Sequence, residues 1–402
     1  MNRVAVLFCV LLSFVCITCK KDADLPVSIK GESSIQADSV YYFQVAPVSG
    51  ATYAWKTQAP LTVLDGQGSY KIKVMASSAF SSASICVDIH SVTKEQNVCN
   101  TVGYKPGWRR VSAAGIDRQY AFSFVIGNTA YVSGGGNTLN NGSTFTPQND
   151  SYSFSDTSTS LHVLHHLPVL RYGGISFTAN NQGYVGFGVD QDGNYCKDLW
   201  RYDPASDSWT KMASCPGPGI VNGGSFVLNN TAYILTGTNA GYNDSVWAYA
   251  IATNSWSAKH NTPFSARASA TCFSYANYGY VIGGESNTII SLAEVWKYDP
   301  AADSWQSLPD FPGTARNSAC SFVLGNTLYY GSGGDINNFM LYDYWTWNLT
   351  TNVWQKTVDK TWGITSVSCF AINNKGYAFG GWTINPFTNV ALNSNFLWEF
   401  TP

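Results

Sequence analysis

Apolar and polar positions alternate in short runs along most of this chain, and one arrangement of these runs recurs. Each copy has an apolar strand, a tight turn, a second strand that ends in glycines, a loop and an aromatic hairpin. Two of the hairpins are near-copies: Leu199–Trp209 reads LWRYDPASDSW and Val295–Trp305 reads VWKYDPAADSW. Alternation with a period of two predicts strands. Each copy therefore predicts four strands.

Tryptophans give the length of the repeat, which is 47 to 49 residues. The residues that end successive hairpins are Trp209, Trp256, Trp305 and Trp354. Two less regular copies flank them. One begins at Arg118, and the other begins near Cys369. The last copy stops after Trp398, one strand short, and Gly107–Ala113 (GWRRVSA) is an orphan strand ahead of the first copy. Because such a strand would cover the open edge of the last sheet, we expect a closed ring of six four-stranded units.

Residues 27–104 differ from the repeat. Their short alternating strands, among them ATYAWKT and SYKIKVMA, are separated by polar turns and predict a small β-sandwich. Residues 1–18 are interpreted as a signal peptide, because the apolar run from Val4 to Ile17 is too short to span a bilayer. Cys19, followed by two lysines, resembles the lipidated first residue of Bacteroidetes-type bacterial lipoproteins, with residues 19–26 as a linker. Simple secretion is the alternative.

Glycine pairs end the second strand in four copies, at positions 135–136, 283–284, 333–334 and 380–381. With the paired tryptophans, they resemble the kelch repeat. The resemblance covers residues 107–402 and implies an all-β fold, a six-bladed kelch-type β-propeller closed by an N-terminal strand. The stretch GATYAWKT…GQGSYKIKVMA resembles PKD-like or other immunoglobulin-like modules, which implies that residues 27–104 hold the propeller away from a membrane. Kelch propellers include enzymes and pure binders, so the resemblance names no function.

The charge balance narrows the range of partners. The chain has 23 Lys and Arg against 25 Asp and Glu, a net charge of −2, and no basic run. This argues against nucleic acid and against a patch for anionic lipids, so we expect membrane contact only through the lipid anchor. We expect a monomeric lipoprotein of the outer membrane or cell surface, with a periplasmic or secreted protein as the alternative.

Cysteine and histidine indicate little reactive chemistry. Cys86 and Cys99 flank a hairpin and are candidates for a disulfide. Cys272, Cys320 and Cys369 fall at matching or nearly matching places in the repeat and are interpreted as small buried core residues. Galactose oxidase, a copper enzyme on a kelch ring, needs two histidines and two tyrosines around its metal. Here three of the five histidines share one strand, HVLHH, interpreted as solvated. We expect no metal and no cofactor.

One equivalent position of the repeat, which we call the arginine phase, lies just before the first strand and is arginine in four of the six copies. These residues are Arg118, Arg171, Arg267 and Arg316. Equivalent positions of a propeller form a ring, so four guanidinium groups would face a common funnel, and their planar forks suit carboxylates. Kelch domains that bind acidic partners use arginines at this phase. The alternative is that each arginine pairs with an acid of a neighbouring loop and braces adjacent blades.

A second set of equivalent positions directly follows the glycine pairs. The loops at the same mouth begin at these positions. Its residues are Asn137, Glu285, Asp335 and Trp382. Glu285 and Asp335 are either partners of the arginines or acid and base groups of a sugar pocket. Trp382 either stacks on a sugar face or packs. We expect both sets of residues to bind the ligand.

Two functions fit these residues. The favoured one is a non-catalytic surface protein that binds a protein, glycan or acidic ligand at the tunnel mouth. The alternative is a carbohydrate-active enzyme similar to the sialic acid mutarotases (N-acetylneuraminate epimerases). In that enzyme Arg171 and Arg316 would hold the sugar carboxylate, and Glu285 would assist ring opening.

Overall fold

The computed structural model describes residues 25–26, 28–36, 40–76, 82–104, 107–113, 115–139, 144–156, 161–288, 291–337, 340–357, 363–384 and 391–402. Every regular element in these ranges is a β-strand. No helix in them is long and apolar enough to cross a membrane. The chain divides into two compact units, Met1–Lys105 and Pro106–Pro402. The signal peptide and the lipidation site Cys19 predicted from the sequence lie outside the described residues.

The first unit has two sheets that share one core. Its strands are β1 (Ser34–Ile35), β2 (Val40–Gln44), β3 (Thr52–Thr57), β4 (Leu61–Asp65), β5 (Lys71–Ala76), β6 (Ser82–His90) and β7 (Glu95–Tyr104). They pair in the orders β1-β7-β6-β3 and β2-β5-β4. Alternate residues of both sheets, such as Val74 and Val87, are fully buried in one cluster, as in a sandwich. Cys86 and Cys99 lie opposite each other on β6 and β7 and form a disulfide.

The described residues of the second unit form mainly six four-stranded antiparallel sheets, numbered 1 to 6 here along the chain. Its first strand, β8 (Gly107–Ala113), belongs to sheet 6. Sheet 1 has β9 (Phe122–Ile126), β10 (Thr129–Ser133), β13 (Ser151–Ser155) and β14 (His162–Leu164), and a side hairpin of β11 (Gly136–Leu139) and β12 (Thr144–Pro147). Sheet 2 has β15 (Ile175–Ala179), β16 (Gln182–Gly186), β17 (Leu199–Asp203) and β18 (Ser208–Lys211).

Sheets 3 to 5 repeat this plan. Sheet 3 has β19 (Gly224–Leu228), β20 (Thr231–Leu235), β21 (Val246–Ala250) and β22 (Ser255–Ala258). Sheet 4 has β23 (Thr271–Tyr275), β24 (Tyr278–Ile282), β25 (Val295–Asp299) and β26 (Ser304–Leu308). Sheet 5 has β27 (Cys320–Leu324), β28 (Thr327–Gly331), β29 (Tyr344–Asn348) and β30 (Val353–Lys356).

Sheet 6 takes strands from both ends of the unit. It has β31 (Ser368–Ile372), β32 (Lys375–Phe379) and β35 (Phe396–Thr401), and β8 pairs with β35 as the fourth strand. A side hairpin is formed by β33 (Trp382–Ile384) and β34 (Ala391–Asn393). An ion pair joins the two chain ends, since Arg109 Nε on β8 lies 2.9 Å from Glu399 Oε1 on β35.

A stacked aromatic pair occupies the same place in every sheet. The third residue of the first strand is always Phe, and it lies opposite the Tyr at the third position of the second strand. The pairs are Phe124–Tyr131, Phe177–Tyr184, Phe226–Tyr233, Phe273–Tyr280, Phe322–Tyr329 and Phe370–Tyr377, with ring centroids 4.8 to 5.6 Å apart. Cross-strand aromatic pairs of this kind stabilise each hairpin and bury a large apolar area.

Odd and even sheets pack differently around these aromatic pairs. The even sheets have glycine at the second position of their second strands, Gly183, Gly279 and Gly376. A Cβ at each glycine would overlap the Phe ring of the preceding odd sheet. The odd sheets have Ala130, Ala232 and Leu328 at the same position. The sheets therefore pack as alternating partners, with each odd Phe pressed against the backbone of the next even sheet.

Backbone hydrogen bonds link consecutive sheets in a closed cycle. After each second strand, a glycine with φ between 80° and 92° donates its N–H to a carbonyl just before the next sheet. The bonds are Gly135 to Arg171, Gly188 to Ile220, Gly237 to Arg267, Gly284 to Arg316, Gly333 to Ile364 and Gly381 to Arg118, at 2.6 to 3.0 Å. The last bond runs from sheet 6 back to sheet 1. A positive φ at all six positions favours glycine.

A second disulfide joins sheets 5 and 6, because Cys320 on β27 is bonded to Cys369 on β31. Both residues belong to a buried cluster, as expected, but the disulfide between them was not predicted. The sequence places them one repeat apart, but not within bonding distance. Cys272 remains a free thiol at the equivalent place between sheets 3 and 4, where its neighbour is Gly224 instead of a cysteine.

Candidate functional site

The four arginines of the repeat are buried and ion-paired. Their side chains are 0 to 5% exposed, and each pairs with the acid just before the third strand of its own sheet. The pairs are Arg118–Asp150, Arg171–Asp198, Arg267–Glu294 and Arg316–Asp343. Three of these arginines also donate to a carbonyl at or after the end of the second strand. Each of these three guanidinium groups therefore links the segments that flank three strands of one sheet.

The electrostatics agree with a bracing role. Burial works against ionisation of Asp198, but hydrogen bonds and the charge of Arg171 outweigh it and hold the pKa of Asp198 below its usual value. In the same way, Arg267 keeps the pKa of the Glu294 carboxyl low despite burial. The bracing alternative is thus the one that the geometry favours. The partners are not Glu285 and Asp335, and each brace stays within one sheet instead of joining two.

A signal for these partners was present in the sequence but was missed. Asp198, Glu294 and Asp343 each stand two residues before the first tryptophan of a hairpin, and that indole N–H donates to the same carboxylate at 2.7 to 3.1 Å. In sheet 1, Tyr152 takes the place of the tryptophan and donates its hydroxyl to Asp150 at 2.6 Å. An arginine and an aromatic side chain therefore share each carboxylate.

An axial cavity of about 300 Å³ is lined by residues at the start of the first strands of all six sheets. Its wall is mostly hydroxyl and glycine, with Ser123, Ser176, Ser225 and Ser321 at equivalent positions. Some of these hydroxyls bond across to the next sheet: Ser176 Oγ donates to the Ser123 carbonyl at 2.7 Å, and Ser225 Oγ to the Ser176 carbonyl at 3.0 Å. The channel wall is polar, and these hydroxyls are committed to neighbouring sheets.

Six residues with left-handed backbone surround one end of this cavity, and we call them the collar. They are Tyr120, Gly173, Asn222, Ser269, Ser318 and Ser366, with φ between 49° and 65°. Backbone hydrogen bonds run from one to the next, for example from Asn222 N to the Gly173 carbonyl at 2.6 Å. Each collar residue stands two positions after the arginine phase of its repeat. Left-handed backbone at non-glycine residues is costly and is concentrated at functional sites.

Two cavities share collar residues Tyr120 and Asn222. The first, the aromatic cavity, has a volume of about 390 Å³ and is lined by Phe145, Tyr172 and Tyr195 as well as Tyr120. Phe145 and Tyr172 meet edge to face with centroids 4.7 Å apart, and Tyr120 lies 6.2 Å from Phe145. Burial raises the pKa of Tyr172, so its phenol stays protonated and can donate a hydrogen bond.

The second, the acidic cavity, has a volume of about 340 Å³. Outside the collar its lining includes Gln119, Glu285, Asn317, Met340 and Trp382. The carboxylate of Glu285 accepts a hydrogen bond from Ser269 Oγ at 3.3 Å. Burial raises the pKa of Glu285, and the Ser269 hydrogen bond offsets this only in part. Among the described residues, neither this cavity nor the aromatic one is lined by Lys, Arg or His.

The structure separates the residues predicted after the glycine pairs into two groups. Glu285 and Trp382 line the acidic cavity. Asn137 accepts a hydrogen bond from Gln148 on the side of sheet 1, and the Asp335 carboxylate accepts the backbone N–H of Asn337 at 2.9 Å. Neither Asn137 nor Asp335 lines either cavity.

The cavity residues that sequence reasoning missed follow the arginines directly. Gln119, Tyr172 and Asn317 are each one residue after an arginine, and the collar comes next. In the described part of the chain, no group of three or more His, Cys, Asp or Glu could hold a metal ion. The HVLHH segment contributes an exposed hydrogen-bonded contact, with His165 Nδ1 2.9 Å from Asp207 Oδ2.

Two family models match this chain. The model of the KLHDC2/KLHL20/DRC7 Kelch-repeats domain matches residues 121–313, which span sheets 1 to 4, and a PKD-like domain model matches residues 22–101. No curated protein matches the chain. The chain thus contains a kelch-repeat region and a PKD-like region, and its four-stranded sheets are those expected of a kelch β-propeller.

Proposed function

We propose that the protein is a non-catalytic binding protein, which takes a protein or glycan ligand at the mouth formed by the aromatic and acidic cavities. Residues 107–402 would form one six-bladed kelch propeller, closed by the pairing of β8 with β35. The observation that carries the proposal is the joining of the two cavities at the collar, with aromatic, amide and hydroxyl side chains around them. Such linings suit recognition of a polar ligand. Kelch repeats commonly mediate binding, which fits this role.

The lining favours binding over catalysis. General acid–base chemistry on a sugar ring uses a pair of titratable groups within reach of the substrate. Glu285 is the one carboxylate on the described walls of the two cavities. The mutarotase alternative also needs Arg171 and Arg316 for the sugar carboxylate, but both are ion-paired with the protein's own acids. These contacts therefore give the mutarotase alternative no support. An acidic ligand loses its support for the same reason.

The cellular location of the protein and its membrane anchor are proposed from the sequence. Cleavage before Cys19 and acylation of that residue would anchor a monomer to the outer membrane or cell surface. The PKD-like region would then act as a spacer. Incorporation of labelled palmitate into the wild type but not into Cys19→Ser tests the anchor. Equal labelling of the two proteins would refute it.

Binding at the mouth is tested with the full-length mature chain on a glycan array and in pull-downs. Any ligand found should be lost on Tyr172→Ala and weakened on Trp382→Ala, because each change removes an aromatic wall from one of the two cavities. Val163→Ala, an exposed position on β14, is the control and should bind like the wild type. A ligand that binds equally to all four proteins would place the site elsewhere.

A further inference from the structure

We propose that the acidic cavity, which both Glu285 and Trp382 line, binds a positively charged amino sugar whose ammonium group is held by the Glu285 carboxylate. This inference rests on the proposed function, since it names the chemistry of a ligand at the same mouth. It reverses the sign of the acidic ligand expected from the arginines.

Glu285 differs from the other acids at this end of the sheets. Asp198, Glu294 and Asp343 are each held by an arginine and a tryptophan. The Glu285 carboxylate has one donor, Ser269 Oγ at 3.3 Å, and no cationic partner in the part of the chain that the structure describes. A half-buried carboxylate without a counter-ion is unfavourable, and a bound cation would supply the missing partner.

The titration behaviour of the cavity points the same way. Burial raises the pKa of Glu285, whereas the similarly half-buried Glu294 beside Arg267 has a lowered pKa. Two tyrosines share this environment: Tyr120 lines the same cavity, and Tyr242 has a pKa that is raised by burial and then by the charge of Glu285. Among the described residues of the cavity wall, no positive charge offsets Glu285. The ammonium group of a ligand would offset the charge of Glu285.

The rest of the lining fits a sugar better than a lysine side chain. Gln119, Asn222, Asn317 and Ser318 present amide and hydroxyl groups around the cavity, and sugar hydroxyls can both donate to and accept from such groups. The apolar stem of a lysine could form no hydrogen bonds with this polar lining. Trp382 lines the same cavity, and its indole offers an aromatic face for the sugar ring. The aromatic cavity next to it offers a stacking wall for a second sugar ring.

Isothermal titration calorimetry on the full-length mature chain tests the charge directly. The probes are the glucosamine trimer and the fully N-acetylated trimer, which share a backbone but differ in charge. We expect the glucosamine trimer to bind at least about 10-fold more tightly, as charge-assisted hydrogen bonds require. Equal affinities, or no binding of the glucosamine trimer, overturn the proposal. So does a lysine tripeptide that binds where the glucosamine trimer does not, because the ligand would then be a peptide.

Matched variants locate the effect. Glu285→Gln should weaken the glucosamine trimer about 10- to 100-fold, and Trp382→Leu about 3- to 30-fold. The control is Asp335→Asn, which removes a carboxylate from the equivalent place after the next glycine pair, outside the cavity. It should change affinity less than about 2-fold. If Asp335→Asn and Glu285→Gln have the same effect, the attraction is long-range and the proposed contact is wrong.

The pH dependence gives an independent readout. Between about pH 4 and about pH 6 a sugar amine stays protonated. Affinity should therefore rise with pH in the wild type as Glu285 ionises, and it should stay flat in Glu285→Gln. A flat profile in the wild type would contradict the proposal. If the acetylated trimer binds as tightly as the glucosamine trimer and is lost on Tyr172→Ala, the mouth is a binding site but not for a cation. A mouth at which no variant alters any binding refutes the proposed function itself.

Discussion

Replacing Arg316 by methionine should destabilise the second unit strongly without touching any ligand. The Arg316 side chain is 0% exposed, and its Nη2 donates to both carboxylate oxygens of Asp343 at 2.9 and 3.0 Å. Its Nη1 donates to the Ser332 carbonyl at 3.1 Å. Methionine keeps much of the apolar stem but supplies no donor. Asp343, whose side chain is 19% exposed, would retain one described side-chain donor, Trp345 Nε1 at 2.7 Å.

The size of the effect follows from the charge that is left behind. Removing one partner of a buried ion pair costs about 3–5 kcal/mol, because the other charge stays buried and uncompensated. We expect the free energy of unfolding to fall by that amount. The double variant Arg316→Met with Asp343→Asn should lose less than the single variant, because it leaves no buried charge. Arg110→Met, on an exposed arginine of β8, should cost less than about 1 kcal/mol.

Urea unfolding followed by tryptophan fluorescence measures these differences. Of the fourteen tryptophans, all but Trp55 lie in the second unit, so the signal reports mainly on that unit. The bracing role is refuted if Arg316→Met costs less than about 1 kcal/mol and weakens a ligand of the mouth. That pair of results would indicate that Arg316 belongs to the ligand-binding site and is not a brace.

Three further outcomes are expected. Cys320→Ser with Cys369→Ser opens a loop closed over 49 residues and should cost about 4 kcal/mol in urea unfolding; a wild-type midpoint that reductant leaves unchanged would contradict this. Gly183→Ala forces a methyl group into a ring of the preceding sheet and should cost about 1–3 kcal/mol, whereas Gly241→Ala, in open space, should be nearly neutral; similar losses would disprove sheet-to-sheet packing as the cause. Glu285→Gln should raise the melting temperature at pH 7, because the raised pKa of Glu285 makes its ionisation unfavourable to the fold. This gain should shrink as the pH falls below that raised pKa and vanish below the ordinary pKa of a glutamate; a gain that persists in acid would exclude the charge as its source.

The strands of the second unit could be predicted closely from the sequence because their signals are local. Alternation and the aromatic hairpin of Leu199–Trp209 predict β17 and β18, and the diglycines mark the ends of second strands. The strand from the start of the unit could be assigned to the last sheet, since that sheet lacked one. These inferences need only period, turn residues and a count of strands.

The site was harder to predict, because it depends on which residues meet across sheets. The arginines were identified correctly as equivalent, but the choice between ligand and brace required the position of acids 27 to 32 residues away. The collar has no common side chain, because its positive φ is imposed by the turn before each first strand and is met by Tyr, Gly, Asn or Ser. The bond between Cys320 and Cys369 depends on the approach of two separate sheets.

The fit between odd and even sheets limits how this fold can change in length. If sheet 2 alone were deleted, sheet 1 would meet sheet 3, and Phe124 would face Ala232 where it now has the bare backbone of Gly183. Insertion of a single sheet would create the same mismatch. Removing or adding two neighbours keeps the Phe of every odd sheet opposite a glycine. Relatives that arise by duplication or loss should therefore differ from this chain by even numbers of sheets, with the two-sheet pair as the unit of inheritance.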